Sequence, residues 1–417
     1  MSNQSSPRFF YGWAIVAFTF AVQFVTMGTV FYAYGVLLKP LTETLDADRF
    51  LISLALSLQM AFGALLGPLV GKLIAERSIR VLMMCGCATM SLGFLALSQA
   101  QTLWHLYLAF GVILSTSMAL TGPLPNNALL ANWFVRRRGT ALGVSQFGIS
   151  FSGTVLVPLT TWLVLSYGWR SAVSFYAIVP VVVLMPLAWK FAVKRPEDMG
   201  LFPDGDPEGE VISEAGQPDG WTVGRAFRDR RIWLLALIVG PSFMSITSVL
   251  IAMHSHVTDQ GMSALQASAV VALMTFMGAL AKPLFGTLSD FVDKRLVMGL
   301  SLICQIVGLL VIIALESYVG IMAGAFLFGL GYGAVMPLWG VLLGAMFGRE
   351  AFARIMGSMG PIMLPFTLLG LPFTTWVFEQ TGSYAPAFAT LVAGSVLSTI
   401  ALGFLRLPAE PARPETH

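Results

Sequence analysis

KPLFGTLSDFVDKR, residues 282–295, and GPLVGKLIAERSIR, residues 67–80, align at an offset of 215 and share the Pro, two Leu, the Gly and the final Arg. A weaker pair, YGWRSA (167–172) and TGSYAP (381–386), recurs at an offset of 214. Two unrelated positions keep nearly the same spacing, which is the mark of a chain built from two related halves. The segments around these copies are apolar over roughly 20 residues at a time, long enough to cross a hydrocarbon layer of about 30 Å as a helix.

Composition extends that reading to the whole chain. Of its 417 residues 56% are hydrophobic and only 11% are charged, with a mean hydropathy of +0.79, against about a quarter charged in soluble domains. Breaking the apolar runs at charged or turn-rich points gives twelve spans, six in residues 1–193 and six in residues 232–417. A polar stretch at 194–231 joins them. The expected fold is an all-α membrane protein of twelve transmembrane helices in two six-helix pseudo-repeats, a plan that many secondary transporters share. The linker, rich in Gly, Pro and acids, reads as a mobile tether.

Threading the spans from an inside N-terminus gathers Lys72, Arg77, Arg80, Arg136, Arg137, Arg138, the linker, Lys294, Arg295, Arg349 and Arg354 on one side. The other side keeps Lys39, Arg49 and Arg170. The positive-inside rule therefore puts both termini and the linker in the cytoplasm. Gly12 to Leu38 runs without a small-residue cleavage site and reads as a retained span. Cys85, Cys87 and Cys304 fall inside apolar runs and read as packing residues.

Lys282 is the exception in this pattern. A lysine at the centre of a membrane helix costs about 2.5 to 3.5 kcal/mol on insertion scales. Escape to the headgroups would have to span the eight residues to Asp290, about 12 Å of helix rise, roughly double the reach of a lysine stem. Every Asp and Glu lies at the end of a span or in a loop. The partner of the ammonium is then water in a cavity or an anionic substrate, and a single cation matches a single carboxylate.

With these residues in hand the chain resembles the major facilitator superfamily over all twelve spans. Gly286, Asp290, Asp293 and Arg295 match the loop motif that this family carries after its eighth helix. The copy after the second helix keeps Gly71 and Arg80 but has Ala75 in place of the acid, with Glu76 beside it. WFVRRRGTALGVSQFGISFSG (133–153) resembles the fifth-helix signature of the monocarboxylate porters and the oxalate-formate antiporter group, through Arg137, Arg138, Ala141, Gly143 and Gly148. Tyr11-Gly12-Trp13 resembles the end of the first-helix signature, and Ala281-Lys282-Pro283 the eighth-helix Ala-Arg-Pro, whose cation binds a substrate carboxylate in family members. Asp290, Arg295 and Arg80 are then expected in a gate at the cytoplasmic face. The resemblance implies a secondary transporter of small monocarboxylate anions working by alternating access, as proton symport or anion exchange.

Two family features are missing. The acid that proton-coupled porters carry one turn before the eighth-helix cation is Gly278 here, and Tyr32 stands near the position of a first-helix lysine. His254 and His256 are the nearest titratable groups for proton coupling. Asn126, Gln146, Tyr332 and Trp339 join Tyr32 and Lys282 as candidates to line a central cavity; Asn126, beside Pro125, has the alternative task of satisfying backbone that the proline frees. The arginine triplet 136–138 reads as an inside anchor, binding lipid headgroups or acids of the opposing loop.

No nucleotide-binding glycine loop, metal-ligand cluster or nucleophile–base spacing stands out, so neither an enzyme nor a cofactor is expected, and nucleic-acid binding has no support. Drug or other organic-solute efflux by the same fold is the main rival; it predicts an apolar cavity with no essential lysine. A transporter-like membrane sensor signalling through the linker is the second. The resemblance, with a compact chain and no targeting extension, points to a bacterial inner membrane.

Overall fold

The structure, a computed structural model, describes residues 10–205 and 220–408. Among these residues every regular element is helical. The spans of the first half are α1 (Gly12–Leu45), α2 (Phe50–Glu76), α3 (Ile79–Ser98), α4 (Leu103–Trp133), α5 (Arg138–Tyr167) and α6 (Trp169–Phe191). The second half has α7 (Arg230–Asp259), α8 (Leu265–Phe291) and α9 (Lys294–Ala314), then a helical stretch Tyr318–Thr381 and finally α12 (Ala385–Phe404). At 1.5 Å per residue the 64-residue stretch would be about 96 Å long, three membrane cores. Gly348 divides it, with φ 72° and ψ 175°, a conformation open to glycine. The chain reverses there, giving α10 (318–347) and α11 (349–381) and the twelve spans expected. The protein is an integral multi-pass membrane protein.

Apolar helices gain nothing from the hydrophobic effect when they meet each other in lipid, so close approach depends on small residues. Two crossings between the halves show this, both toward the arginine-rich end. At one, Gly139 and Gly143 of α5 lie against Gly286 and the backbone of Lys282 and Pro283 in α8. At the other, Gly67 and Gly71 of α2 lie against Gly357 and Ala353 of α11. A Cβ at any of these six glycines would press on backbone of the opposite half. The halves are therefore in backbone contact, and the molecule is shut at its arginine-rich end.

One span breaks where the sequence removes a hydrogen bond, and another carries an extra turn. α4 breaks at Gly122, ahead of Pro123 and Pro125. The Thr121 carbonyl loses its i+4 donor because Pro125 has no N–H, and the Asn126 Nδ2 donates to it at 2.6 Å and to the Gly122 carbonyl at 2.7 Å. α1 carries a π-turn over Met27–Tyr32.

The described ends of the linker are docked, contrary to a mobile tether; residues 206–219 lie outside the described residues. Lys194 Nζ donates to the Ala75 carbonyl at the end of α2, at 2.6 Å, and burial pushes its pKa down. Asp204 accepts the backbone N–H groups of Val135, Arg136 and Arg137, at 2.9, 2.8 and 3.2 Å. Residues 135–137 thus form a backbone nest for a linker carboxylate. Arg138 is buried, and its guanidinium donates to the Phe134 and Ala131 carbonyls, so this member of the triplet faces protein and not lipid.

Candidate substrate site between the halves

α8 enters from the far end and reaches the arginine-rich end at Phe291. Side chains on a helix lean toward its N-terminus, so Lys282 is aimed away from the shut end, toward mid-depth. Only 6% of it is exposed. Its ammonium donates to the Oγ of Ser150, which lies on α5, in the other half. Gly143, which packs against the Lys282 backbone, sits two turns before Ser150 on α5, so the lysine stem rises along the α5–α8 seam to meet the hydroxyl. The nearest acid along α8, Asp290, lies on the side that the stem points away from. Sequence reasoning missed Ser150, because a serine in an apolar helix carries no signal until its partner is known.

Tyr332 of α10 fills the space that Gly278 leaves: a Cβ at 278 would run into the phenol ring and its oxygen. Where proton-coupled porters carry an acid, this chain therefore has the Tyr332 side chain in place. Phe328 packs on the same ring, with centroids 5.8 Å apart. Tyr32 of α1 lies against Gly153 of α5, its ring 3.2 Å from a Cβ built there. Tyr332 thus packs on α8 one turn from Lys282, and Tyr32 packs on α5 one turn from Ser150.

The other candidates are placed differently. Gln146 donates to Asn127 at 3.1 Å, tying α5 to α4 inside the first half, and its Oε1 is buried without a protein partner. The Asn126 amide nitrogen is committed to the α4 break described above. Trp339 packs edge-on against Phe243, 5.7 Å away, and its buried Nε1–H has no protein acceptor. His256 sits in an aromatic cluster at the far end of α7 with Tyr384 and Phe388, and its Nε2 is 3.2 Å from Gln260. His254, on the same helix, is exposed. Neither histidine is among the residues gathered around Lys282.

At the shut end, Asp290 reaches across from α8 to the first turn of α5. It accepts from Gly139 N–H at 2.7 Å, from Thr140 N–H at 2.8 Å and from the Thr140 hydroxyl at 2.7 Å. Free N–H groups and the positive end of the helix dipole both favour a carboxylate there. Glu76, beside the missing acid at Ala75, pairs with Arg354 of α11 at 3.3 Å. Two more pairs join the linker to the α10–α11 turn, Glu197 with Arg349 at 2.6 Å and Arg195 with Glu350 at 3.7 Å. Arg295 and Arg80 each stay within their own half. Arg295 binds Asp293 at 2.9 Å and holds its carboxyl below the usual carboxylate range, while Arg80 stacks over Trp189 at 5.7 Å.

A surface recess of about 540 Å³, lined by Ser98, Gln99, Gln101, Arg170, Ser171 and Ser174, opens at the opposite end of the first half. Its arginine already donates to the Ser98 and Ala100 carbonyls, at 2.7 and 2.9 Å, and Lys282 is not part of it.

Residues 16–254 and 235–417 each match the Major Facilitator Superfamily, so the family pattern occurs twice. Monocarboxylate transporter 13 of Bos taurus is 26% identical over 421 residues, covering 97% of this chain and 92% of that protein. Monocarboxylate transporter 11 of Mus musculus is 28% identical over 421 residues, covering 95% and 88%. Among solved structures, the proton:xylose symporter XylE superposes with a TM-score of 0.72 at 13% identity, over 95% of this chain and 96% of that one; this is a likeness of fold alone. The chain belongs to the Major Facilitator Superfamily, as a secondary transporter that resembles the monocarboxylate porters and not an enzyme.

Proposed function

We propose that the protein carries small monocarboxylate anions by alternating access, with the carboxylate bound at Lys282. The observation that carries this reading is the buried ammonium on the seam between the halves, held by a neutral hydroxyl. An ammonium in that position keeps a full charge available to an anion, and intramembrane cations of this kind mark substrate pathways. The resemblance to monocarboxylate transporters supports the same substrate class. Tyr332 and Tyr32 pack one turn from Lys282 and from Ser150 along α8 and α5, while Gln146, Asn126 and Trp339 each keep one buried polar atom unmatched within the protein for a substrate or water.

The arginine-rich end, by the positive-inside rule, faces the cytoplasm. Asp290, Glu76 and the linker pairs would hold that gate shut, with Arg80 and Arg295 bracing the loops on either side, so that substrate enters from the opposite face. Proton symport and anion exchange are both compatible with this arrangement. His256 would need a relay to Lys282 to take part.

The test is uptake of radiolabelled monocarboxylates into proteoliposomes, for the parent and for Lys282→Ala, with and without an imposed pH gradient. Loss of a buried, hydrogen-bonded charge partner costs about 2 to 5 kcal/mol, so apparent affinity should fall at least about thirtyfold. Equal uptake by the variant would make the lysine structural and remove the substrate assignment.

A further inference from the structure

We infer that Ser150 is a positioning residue for the carboxylate, supplied by the half of the protein opposite the one that supplies the charge. The inference rests on the reading of Lys282 as the anion site and adds how the second half takes hold of the same anion.

Lys282 belongs to α8 and Ser150 to α5, 132 positions apart. The bond between them therefore crosses the seam about which the halves must rock. A hydroxyl differs from a carboxylate in what it does for a neighbouring ammonium. It accepts one N–H without cancelling the charge, and it keeps its own proton to donate. An ammonium and a hydroxyl in hydrogen-bond contact therefore present two donors side by side, which matches the two oxygens of one carboxylate. One oxygen takes the ammonium and the other takes the serine O–H, so a single anion ties α8 to α5.

Local structure supports a task beyond packing. Ser150 is only half-buried, while its helix neighbours Ser145 and Ser152 are fully buried and bonded within the first half, Ser145 to Thr19 at 2.8 Å and Ser152 to the Ile149 carbonyl at 2.6 Å. The α5–α8 crossing at Gly143 and Gly286 brings the two backbones together just below, which fixes the distance over which the lysine stem must reach. In the empty carrier, water entering the cavity can replace Ser150 as an acceptor for the ammonium. In the loaded carrier the serine O–H is the donor of this pair that comes from α5, so it alone of the two ties the anion to the first half. Removing the hydroxyl should therefore weaken the bound state more than the free one.

The experiment uses the full chain in proteoliposomes, with radiolabelled pyruvate, L-lactate and benzoate as probes, and compares the parent, Lys282→Ala, Ser150→Ala and Ser150→Thr. Thermal unfolding in detergent checks that each variant is folded. For a probe whose uptake depends on Lys282, Ser150→Ala should raise KM about tenfold with maximal velocity within threefold, the loss expected for one hydrogen bond to a charged group. Ser150→Thr, which keeps a hydroxyl, should return KM to within threefold of the parent. If Ser150→Ala leaves KM within twofold while Lys282→Ala abolishes uptake, Ser150 is packing and the inference is wrong, although the anion site stands. The inference also fails if both serine variants lower velocity at unchanged KM. If no probe shows Lys282-dependent uptake, the anion site falls and the role of Ser150 falls with it.

Discussion

Asp290 closes on Thr140 from the opposite half of the protein: one of its oxygens receives both the backbone N–H, at 2.8 Å, and the side-chain hydroxyl, at 2.7 Å. The acid thereby caps a helix to which it is not joined, and its charge faces the positive end of that helix. Opening the gate must break these bonds. Asp290→Asn removes the charge and should destabilise the shut state by about 1 to 2 kcal/mol, a five- to thirtyfold shift in population. Spin labels replacing Lys72 and Phe291 would report it as growth of a longer distance; an unchanged distribution would mean that Asp290 does not hold the gate.

The linker takes part in the same closure through Glu197 and Arg349, which approach to 2.6 Å with side chains that remain 37% and 24% exposed. A pair so placed contributes up to about 1 kcal/mol. Glu197→Arg alone should open the shut end measurably, and Glu197→Arg combined with Arg349→Glu should restore it. The rescue is the informative outcome, because a merely disruptive substitution would not be repaired by a second one. Salt should weaken the parental pair.

Gly278 and Tyr332 are a size-matched pair. Gly278→Ala drives a methyl into the phenol and should displace it, cutting transport by about fivefold or more, as overpacking of about 1 to 3 kcal/mol implies. Tyr332→Ala in the same chain should relieve the clash, returning the thermal stability lost in the single variant. Failure of the double variant to recover stability would show that the glycine is needed for something other than room for the ring.

Asn126 offers a stability test. Asn126→Asp keeps the shape and removes the two donors that satisfy the Thr121 and Gly122 carbonyls. The loss should be about 1 to 3 kcal/mol, read as a lower melting temperature in detergent. A variant that melts with the parent but loses substrate affinity would assign Asn126 to the cavity instead of to the α4 break.

Much of this architecture was legible without coordinates. Apolar length is a local property, so the spans could be counted, and the offset between KPLFGTLSDFVDKR and GPLVGKLIAERSIR showed the duplication. The α10–α11 turn at Gly348 was visible as the charged interruption Gly348-Arg349-Glu350. Lys282 declared itself because a charge inside an apolar run is costly wherever the helix turns. The second task considered for Asn126, satisfying backbone beside Pro125, was also readable, since a missing N–H is a covalent fact.

The direction of each side chain was not legible. A helix that is apolar all round has little period to say which face meets which neighbour, and in lipid small residues set the crossings. That Ser150 meets Lys282, that Asp204 enters the nest at 135–137 and that His256 turns into an aromatic cluster depend on the rotation of packed helices. The sequence by itself determined a duplicated twelve-helix membrane protein with one cation buried at mid-chain of α8. Only the tertiary structure decided what that cation faces, because the deciding contact joins two helices whose spacing is fixed by glycines on both and by no property of either alone.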